Sequence, residues 1–401
     1  MVLDGDHRRR PLAGGANIHV LNVLPDDRHG GPSRRAVQVA RGLKSFGVRT
    51  TLSLPEGDGN AADAAWEAGV PARRLAYRRT PNPRDPRRVA GWGILLPRDV
   101  GRFVALYRRE KPDVVHVNGA AFVAPALAAK LARIPLVWHL NDTLFSPGVA
   151  PLFGGLVRAL ADRIVVAAEA VASHYGVTGS PHTVIYAPVD VGRFGRLADE
   201  RERTERGGER RIGLVANWNR LKGVEYFVRA AALVRRRLED RVELHFVGEK
   251  LATQAEYCRG VDGLIRDLGL EEAVRHHGFV ASVEPVLAQL DVLVLSSISE
   301  ASPMVVLEAM AAGIPVAATD VGGVRELLLG EPGAPAGIVV PPRDPERLAE
   351  AIQELLDHGD EARRLGRNGR VVAERNFSLE SCVRRHLEVY SAAVSRKGRR
   401  P

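Results

Sequence analysis

Residues 291–320 read DVLVLSSISEASPMVVLEAMAAGIPVAATD, and their apolar pattern indicates the fold class. A short apolar run, residues 291–297, is followed by a helical pattern that ends near Gly313 and by a second short run, residues 315–320. A buried strand, a helix and another buried strand in this order form a βαβ unit, whose strands are parallel. The stretch therefore predicts a parallel sheet covered by helices.

The same alternation runs through the whole chain and predicts two such sheets. The strands predicted in the first half are residues 17–24, 48–54, 74–78, 113–118, 135–140, 163–167 and 182–186. Those predicted in the second half are residues 211–217, 242–248, 274–279, 291–297, 315–320 and 337–341. The predicted fold class is therefore α/β, with two Rossmann-like doubly wound domains facing each other across a cleft.

A charged segment separates the two series of strands. Residues 196–211, RLADERERTERGGERR, have almost no large apolar side chains, so they are interpreted as a linker that buries no face. The predicted organisation is a first domain over residues 1–195, a linker over 196–210 and a second domain over 211–376. Residues 377–401 are predicted to form a helix that packs back on the first domain, followed by a basic tail.

The composition argues against a membrane-spanning protein, a zinc site and nucleic-acid binding. No apolar run approaches the roughly 20 residues of a membrane-spanning helix, and the first residues lack the apolar centre of a secretory signal, so a cytoplasmic protein is expected. Two cysteines without metal-ligand spacing indicate reduced thiols and no zinc site. The net charge of +9 favours a polyanionic partner, but aromatic residues at 5% and the lack of a reader motif argue against nucleic acid.

Arginines concentrate in one part of the first domain. Two interpretations stay open, solvated surface faces or a patch that contacts an anionic membrane surface. The arginines are Arg73, Arg74, Arg78, Arg79, Arg84, Arg87, Arg88, Arg98 and Arg102.

Two carboxylates flank the predicted start of the helix in residues 291–320. Ser302 is expected to cap this helix and Pro303 to open it, at the carboxyl edge of the sheet where its first amides have no helical acceptor. Such amides bind phosphate, while Glu300 and Glu308 suit neutral hydroxyls on either side. The layout fits a diphosphate between two hydroxylated rings, which describes a nucleotide sugar. The alternative is that both glutamates are solvated helix residues.

The stretch from residue 291 to residue 327 resembles the signature of retaining GT-B glycosyltransferases of family four. Residues 112–119, 337–356 and 376–390 resemble other parts of the same family, so the resemblance covers almost the whole chain. It implies that Glu300 and the following backbone hold the donor sugar and that Glu308 holds the nucleotide ribose. The backbone in question is that of Ala301, Ser302, Pro303, Met304 and Val305.

The resemblance also implies donor-binding residues after the first strand of the second domain. In NWNRLKG, residues 217–223, Lys222 matches a lysine that neutralises the donor diphosphate. Asn217 stands where the family usually has an arginine. Two alternatives stay open: Arg220 replaces that arginine, or Asn217 hydrogen-bonds the phosphate as a neutral group.

A glycine loop follows the first strand of the first domain. Gly30 and Gly31 permit positive φ and close backbone approach ahead of a helix that Ser33 is expected to cap. This loop resembles the family's N-terminal glycine loop and is predicted to meet the acceptor or the diphosphate. Asp26, Arg28 and His29 of the same loop are candidate acceptor contacts.

A histidine ends a strand of the first domain at the expected cleft edge. By resemblance, His139 lies beside the transferred sugar and positions a substrate, rather than acting as a nucleophile. His116 is the second candidate, and Asn141 and Asp142 are candidates to line the acceptor site.

The predicted function is transfer of a sugar, with retention of configuration, from a UDP- or GDP-sugar to a glycan or lipid-linked acceptor. No D-x-D sequence lies at a strand end, since Asp4 and Asp6 lie in the N-terminal tail, so neither a metal nor another cofactor is expected. Peripheral contact with the inner face of a membrane is a further expectation. The alternative function is a nucleotide-sugar 2-epimerase of the same architecture.

Overall fold

The computed structural model describes residues 17–28, 30–81, 85–202, 209–238 and 242–397, whose strands form two parallel sheets. The first sheet contains β1 Ile18–Val23, β2 Val48–Pro55, β3 Ala72–Leu75, β4 Val114–Asn118, β5 Leu136–Leu140, β6 Arg163–Val166 and β7 His182–Val184. The second contains β8 Arg210–Val215, β9 Val242–Val247, β10 Val274–Gly278, β11 Val292–Leu295, β12 Val316–Thr319 and β13 Gly337–Val340. The predicted α/β class with two Rossmann-like domains is confirmed.

The strand order of each sheet fixes where a ligand can bind. The first sheet has the order β3-β2-β1-β4-β5-β6-β7 and the second β10-β9-β8-β11-β12-β13. In each sheet the order reverses between two neighbouring strands, β1 and β4 in the first and β8 and β11 in the second. The carboxyl ends of parallel strands at such a switch point border a crevice that binds ligands.

Helices connect the strands and cover both sheets. The first lobe is defined here as the first sheet with α1 Gly31–Lys44, α2 Ala61–Glu67, α3 Pro86–Glu110, α4 Val123–Leu131, α5 Ala150–Leu160 and α6 Glu169–Tyr175. The connection to the second lobe is α7 Val191–Glu202. The second lobe is the second sheet with α8 Val224–Arg237, α9 Ala255–Asp267, α10 Glu284–Leu287, α11 Met304–Ala311, α12 Val324–Leu329, α13 Pro345–Asp357 and α14 Gly359–Asn376. The last helix is α15 Leu379–Lys397.

The interpretation of residues 196–211 as a linker that buries no face is wrong for its first part. Residues 196–202 belong to α7, and residues 203–208 lie outside the described residues. Phe194 and Ala198 are buried at i and i+4, against α11 and α14, so this helix does have an apolar face. The arginines and glutamates that follow are good helix formers, which explains why charge did not interrupt the helix.

The last helix packs against the first lobe rather than the second. Val383 and Tyr390 of α15 share one buried cluster with Ile18 and Val20 of β1 and with Val39 of α1. The chain therefore crosses from the second lobe back to the first at its end. No helix in the described part of the chain has the length and apolarity needed to cross a bilayer.

Candidate active site

A cavity of about 450 Å³ lies where the switch points of the two sheets face each other. Its walls come from loops at the carboxyl ends of strands in both lobes and from the first turns of α1 and α11. From the first lobe, the lining residues are Gly31, Pro32, Arg34, Arg35, Asn141, Ala167 and Ala187. From the second lobe they include Asn217, Lys222, Gly248, Phe279, Glu300, Ala301, Ser302, Pro303, Met304, Val305 and Glu308. The cavity has the size of a small-molecule site.

Glu300 is held by two donors that hydrogen-bond the same carboxylate oxygen. Lys222 Nζ lies 2.7 Å from Glu300 Oε1, and Ser297 Oγ donates to that oxygen over 2.7 Å. No residue in the described part of the chain donates to the other oxygen, Oε2. The two donors therefore fix the orientation of the carboxylate through Oε1, while Oε2 stays available to accept hydrogen bonds from a ligand.

The two glycines after β12 allow close approach to the backbone of Glu300. Gly322 has φ +53°, and a Cβ atom there would lie 2.0 Å from the Glu300 carbonyl oxygen. Gly323 N–H donates to the carbonyl oxygen of Ala301 over 2.8 Å. Only glycine fits at position 322 without displacing the loop that carries Glu300.

The first amides of α11 face the cavity without a helical acceptor. They belong to Met304 and Val305, both on the cavity wall. The predicted cap is wrong: the helix begins at Met304 after Pro303, and no side chain caps it. Ser302 Oγ instead accepts a hydrogen bond over 3.2 Å from the backbone N–H of Ala187, so it connects the two lobes and leaves the α11 amides free for a ligand.

Glu308 forms an ion pair with a residue of the first lobe that the sequence did not indicate. Arg34 Nη2 on α1 lies 3.2 Å from Glu308 Oε1. The Glu308 side chain is only 5% exposed. Burial raises the pKa of Glu308 above its ordinary value, although the charge and hydrogen bond of Arg34 oppose this shift. A second contact between the lobes is the hydrogen bond between Thr143 Oγ1 and Ser299 Oγ, over 2.7 Å.

His139 is not in the cavity wall but in a buried polar chain behind it. Arg35 Nη1 lies 3.2 Å from His139 Nε2, His139 Nδ1 lies 3.2 Å from His116 Nε2, and His116 Nδ1 lies 2.6 Å from the Tyr390 hydroxyl. Burial holds the pKa of both histidines well below the ordinary value, so both are neutral. A guanidinium can only donate, so His139 accepts at Nε2 and donates from Nδ1, and His116 repeats this pattern toward Tyr390.

Of the other predicted residues, Arg220 lies outside the cavity wall, whereas Asn217 and Asn141 line the cavity. Arg220 does not reach the cavity: its guanidinium stacks over the Tyr257 ring at 5.6 Å. Asn217 does line the cavity, with its Oδ1 accepting a hydrogen bond from the Glu249 N–H over 2.9 Å. Asn141 lines the cavity as well, and its amide donates to Asn118 Oδ1 over 3.2 Å.

The glycine loop differs from the prediction in its backbone. Neither Gly30 nor Gly31 has positive φ, since Gly30 has φ −113° in an extended conformation. Gly30 itself is the N-cap residue of α1, and Ser33 lies inside the first turn, where its Oγ donates to the Gly30 carbonyl. Gly31 lines the cavity, where a Cβ would lie 3.8 Å from Met304 Sδ. His29, Arg84 and the N-terminal tail with Asp4 and Asp6 lie outside the described residues.

Two family models match the chain, one in each lobe. The model described as "Glycosyl transferase 4-like domain" matches residues 30–187, and the model described as "Glycosyl transferases group 1" matches residues 209–358. A D-inositol 3-phosphate glycosyltransferase of Pseudarthrobacter chlorophenolicus is 31% identical over 318 residues, which cover 72% of this chain and 74% of that protein. The enzyme of the same description from Paenarthrobacter aurescens is 32% identical over 62% of this chain. That alignment spans only 60% of the relative's own length.

A solved structure has the same arrangement of two lobes. HepE of Anabaena in complex with UDP-glucose superposes with a TM-score of 0.77 and 22% identity, covering 94% of this chain and 100% of HepE. At this level of identity the similarity shows the fold alone.

Proposed function

The chain belongs to the group 1 glycosyltransferases, and from this premise we propose that it transfers a sugar from a UDP- or GDP-sugar to a hydroxyl acceptor with retention of configuration. One observation carries the proposal: the free amides of α11 lie between the carboxylates of Glu300 and Glu308 on the wall of a single cavity. A diphosphate on the amides places a ring beside each carboxylate. HepE, which shares the fold, has been solved with UDP-glucose bound.

In the proposed complex each group has a distinct task. Glu300 accepts hydrogen bonds from hydroxyls of the donor sugar, and Glu308 accepts them from the ribose. Lys222 and the amides of Met304 and Val305 stabilise negative charge as it develops on the departing diphosphate, which is where preorganised donors lower a barrier most. We propose that no metal cofactor is needed, because these groups already supply positive charge beside the diphosphate.

Retention requires the acceptor to attack from the face that the diphosphate leaves. We propose that the acceptor oxygen forms its bond to the anomeric carbon as the bond to the diphosphate oxygen breaks, and that the departing phosphate takes the acceptor proton. The acceptor approaches from the first lobe, where Gly31, Asn141 and Arg35 border the cavity.

We propose a glycan or lipid-linked precursor as the acceptor, handled at the surface of an anionic membrane. The support is the first half of α3, in which Arg87, Arg88 and Arg98 are exposed and Ile94 is 79% exposed. Exposed arginines around an exposed apolar side chain suit an anionic lipid surface.

The test is a calorimetric panel of UDP-, GDP- and ADP-sugars, followed by product analysis by NMR. One donor is expected to bind more tightly than the others, and the product glycoside is expected to keep the anomeric configuration of the donor. The absence of binding by all donors, or an inverted product, would refute the proposal. Conversion of UDP-GlcNAc alone into an epimer would identify an epimerase instead.

A further inference from the structure

Arg35 is a buried cation on the cavity wall without a carboxylate partner. The residue is only 8% exposed, yet it borders the cavity. Its side-chain partners are neutral: Nη1 donates to His139 Nε2, Nη2 donates to the carbonyl oxygen of Ile185 over 3.1 Å, and the buried Cys382 thiol is a third partner. Among the residues that the structure describes, no aspartate or glutamate forms an ion pair with it. The positive charge is thus left uncompensated beside the proposed substrate.

A buried charge in this state is costly unless an anion accompanies it. Proteins pair buried charges or expose them, because transfer of an isolated ion from water is strongly unfavourable. Neutral acceptors orient a guanidinium but do not compensate its charge, and they occupy only some of its five donors. A ligand with an oxyanion would supply both the missing charge and the missing acceptors.

We propose that Arg35 binds an oxyanion, a phosphate or a carboxylate, carried by the acceptor substrate. The assignment rests on the proposed function, in which Lys222 and the α11 amides of the second lobe already hold the donor diphosphate. Arg35 belongs to the first lobe, from which the acceptor approaches. Its neighbour Arg34 is engaged by Glu308, so Arg35 is the cation on this part of the wall that lacks an anionic partner.

The buried polar chain gives Arg35 the rigidity that oxyanion recognition needs. Tyr390 of α15, His116 and His139 hold the guanidinium through hydrogen bonds of 2.6 to 3.2 Å. A planar guanidinium fixed in this way can grip a phosphate or carboxylate with two parallel hydrogen bonds, and an ammonium cannot.

The experiment is calorimetric titration of the full chain with inorganic phosphate, at fixed ionic strength, with and without saturating UDP. We expect phosphate to bind in both conditions, and R35Q to weaken it at least tenfold while the Kd of UDP changes less than twofold. The matched control is R41Q, which removes an exposed arginine from the same helix and should change neither affinity. If R35Q fails to fold, R35K serves, because the retained charge without the fork should weaken phosphate severalfold.

Three outcomes would contradict the Arg35 site, its assignment to the acceptor, or the proposed function. Phosphate affinity that is equal in wild type, R35Q and R35K would overturn the site. Phosphate binding that disappears completely at saturating UDP would overturn the acceptor assignment, because all of the bound anion would then occupy the donor diphosphate site. If UDP does not bind, GDP takes its place in the titration, and failure of both to bind would instead refute the proposed function, which keeps the two failures distinguishable.

Discussion

Arg34 Nη2 and Glu308 Oε1 lie 3.2 Å apart, although 274 residues separate them in the sequence. The pair joins the first turn of α1 to the middle of α11 across the cavity. The carboxylate of Glu308, which is proposed to bind the ribose, is thus paired with a cation of the opposite lobe. The position of the Glu308 carboxylate therefore depends on a contact with the opposite lobe.

Glu308→Gln is expected to weaken the binding of the donor nucleotide sugar about tenfold or more. The variant loses a charged acceptor for a ribose hydroxyl, and a hydrogen bond to a charged group contributes about 1.5–3 kcal/mol. Calorimetry with the preferred donor measures the change, and Glu354→Gln, at an exposed position on α13, is the matched control. Arg34→Gln should have a smaller effect, because the arginine is partly exposed and solvent screens the pair. Unchanged affinity in Glu308→Gln would remove the glutamate from the donor site.

Lys222→Ala is expected to lower kcat by about 10²–10³, the usual cost of removing a donor that stabilises transition-state charge. The variant removes the cation proposed to stabilise the departing diphosphate and also frees Glu300 Oε1 from its 2.7 Å contact. Steady-state kinetics at saturating donor give the value. Lys222→Arg should recover part of the rate, whereas Lys44→Ala, an exposed lysine of α1, should be neutral. A Lys222→Ala enzyme with the kcat of the wild type would contradict the proposed charge stabilisation.

Gly322→Ala is expected to destabilise the protein more than Gly333→Ala. Both glycines have positive φ, at +53° and +76°, so both variants carry the strain of an L residue in that conformation, about 1 kcal/mol. Only at Gly322 does the new Cβ meet another atom, the Glu300 carbonyl oxygen. Urea unfolding compares the two variants, and Gly322→Ala should also reduce donor affinity because the Glu300 loop must shift. Equal destabilisation would show that the close approach is relieved without cost.

The free energy of unfolding should fall as the pH falls below 6.5. Burial lowers the pKa of His116 and His139 well below the ordinary value and that of His386 to about 3, so the folded state stays neutral where the unfolded chain binds protons. Below about pH 6.5 each such histidine costs about 1.4 kcal/mol per pH unit until its folded pKa is reached.

Urea unfolding of wild type and His386→Gln at pH 7.5 and pH 5.5 tests this dependence. The variant should lose less stability between the two values. His358→Gln, at an exposed position, should lose as much as the wild type. The same loss in all three proteins would mean that the buried histidines do not control the acid sensitivity.

The first half of α3 is expected to hold the protein on anionic vesicles. Replacing Arg87, Arg88 and Arg98 by glutamine should reduce the fraction that co-floats with phosphatidylglycerol vesicles, since each basic residue near such a surface contributes about 1 kcal/mol. The matched control replaces three exposed arginines of α14, Arg363, Arg364 and Arg375. A wild type that fails to co-float would favour an acceptor in solution.

The sequence was sufficient to predict the architecture and the second-lobe residues that line the cavity. Alternating apolar runs predicted both sheets, because parallel strands buried on two faces are apolar throughout. Glu300 was predicted at the cleft because it follows the carboxyl end of β11, whereas Lys222 and the roles of both glutamates were predicted from the resemblance to the family. The local signal failed at Ser302, since Pro303 and not Ser302 directly precedes the first helical residue, and the Ser302 oxygen accepts from the distant Ala187 N–H instead.

The arrangement of the first-lobe wall could not be predicted, because it depends on contacts between segments that are far apart in the sequence. Arg34 and Arg35 look like surface residues of an ordinary helix, and only the tertiary structure shows that one meets Glu308 and the other meets His139. The placement of His139 at the cleft edge assumed that a strand end exposes its side chain. Arg35, His116 and His386 surround it instead, and no pattern of neighbouring residues carries that information. A cation two or three residues after a glycine loop at a strand end is the signal that could have identified Arg34.

The return of α15 to the first lobe also constrains how the protein is made. Strand β1 is translated long before Val383 and Tyr390, which cover part of its sheet. Until α15 has been translated, that apolar surface therefore lacks its final cover, and the first lobe cannot complete its packing. A stop codon or proteolytic cut before residue 380 would leave the surface open to chaperones and to aggregation, even though every cavity-lining residue had already been synthesised.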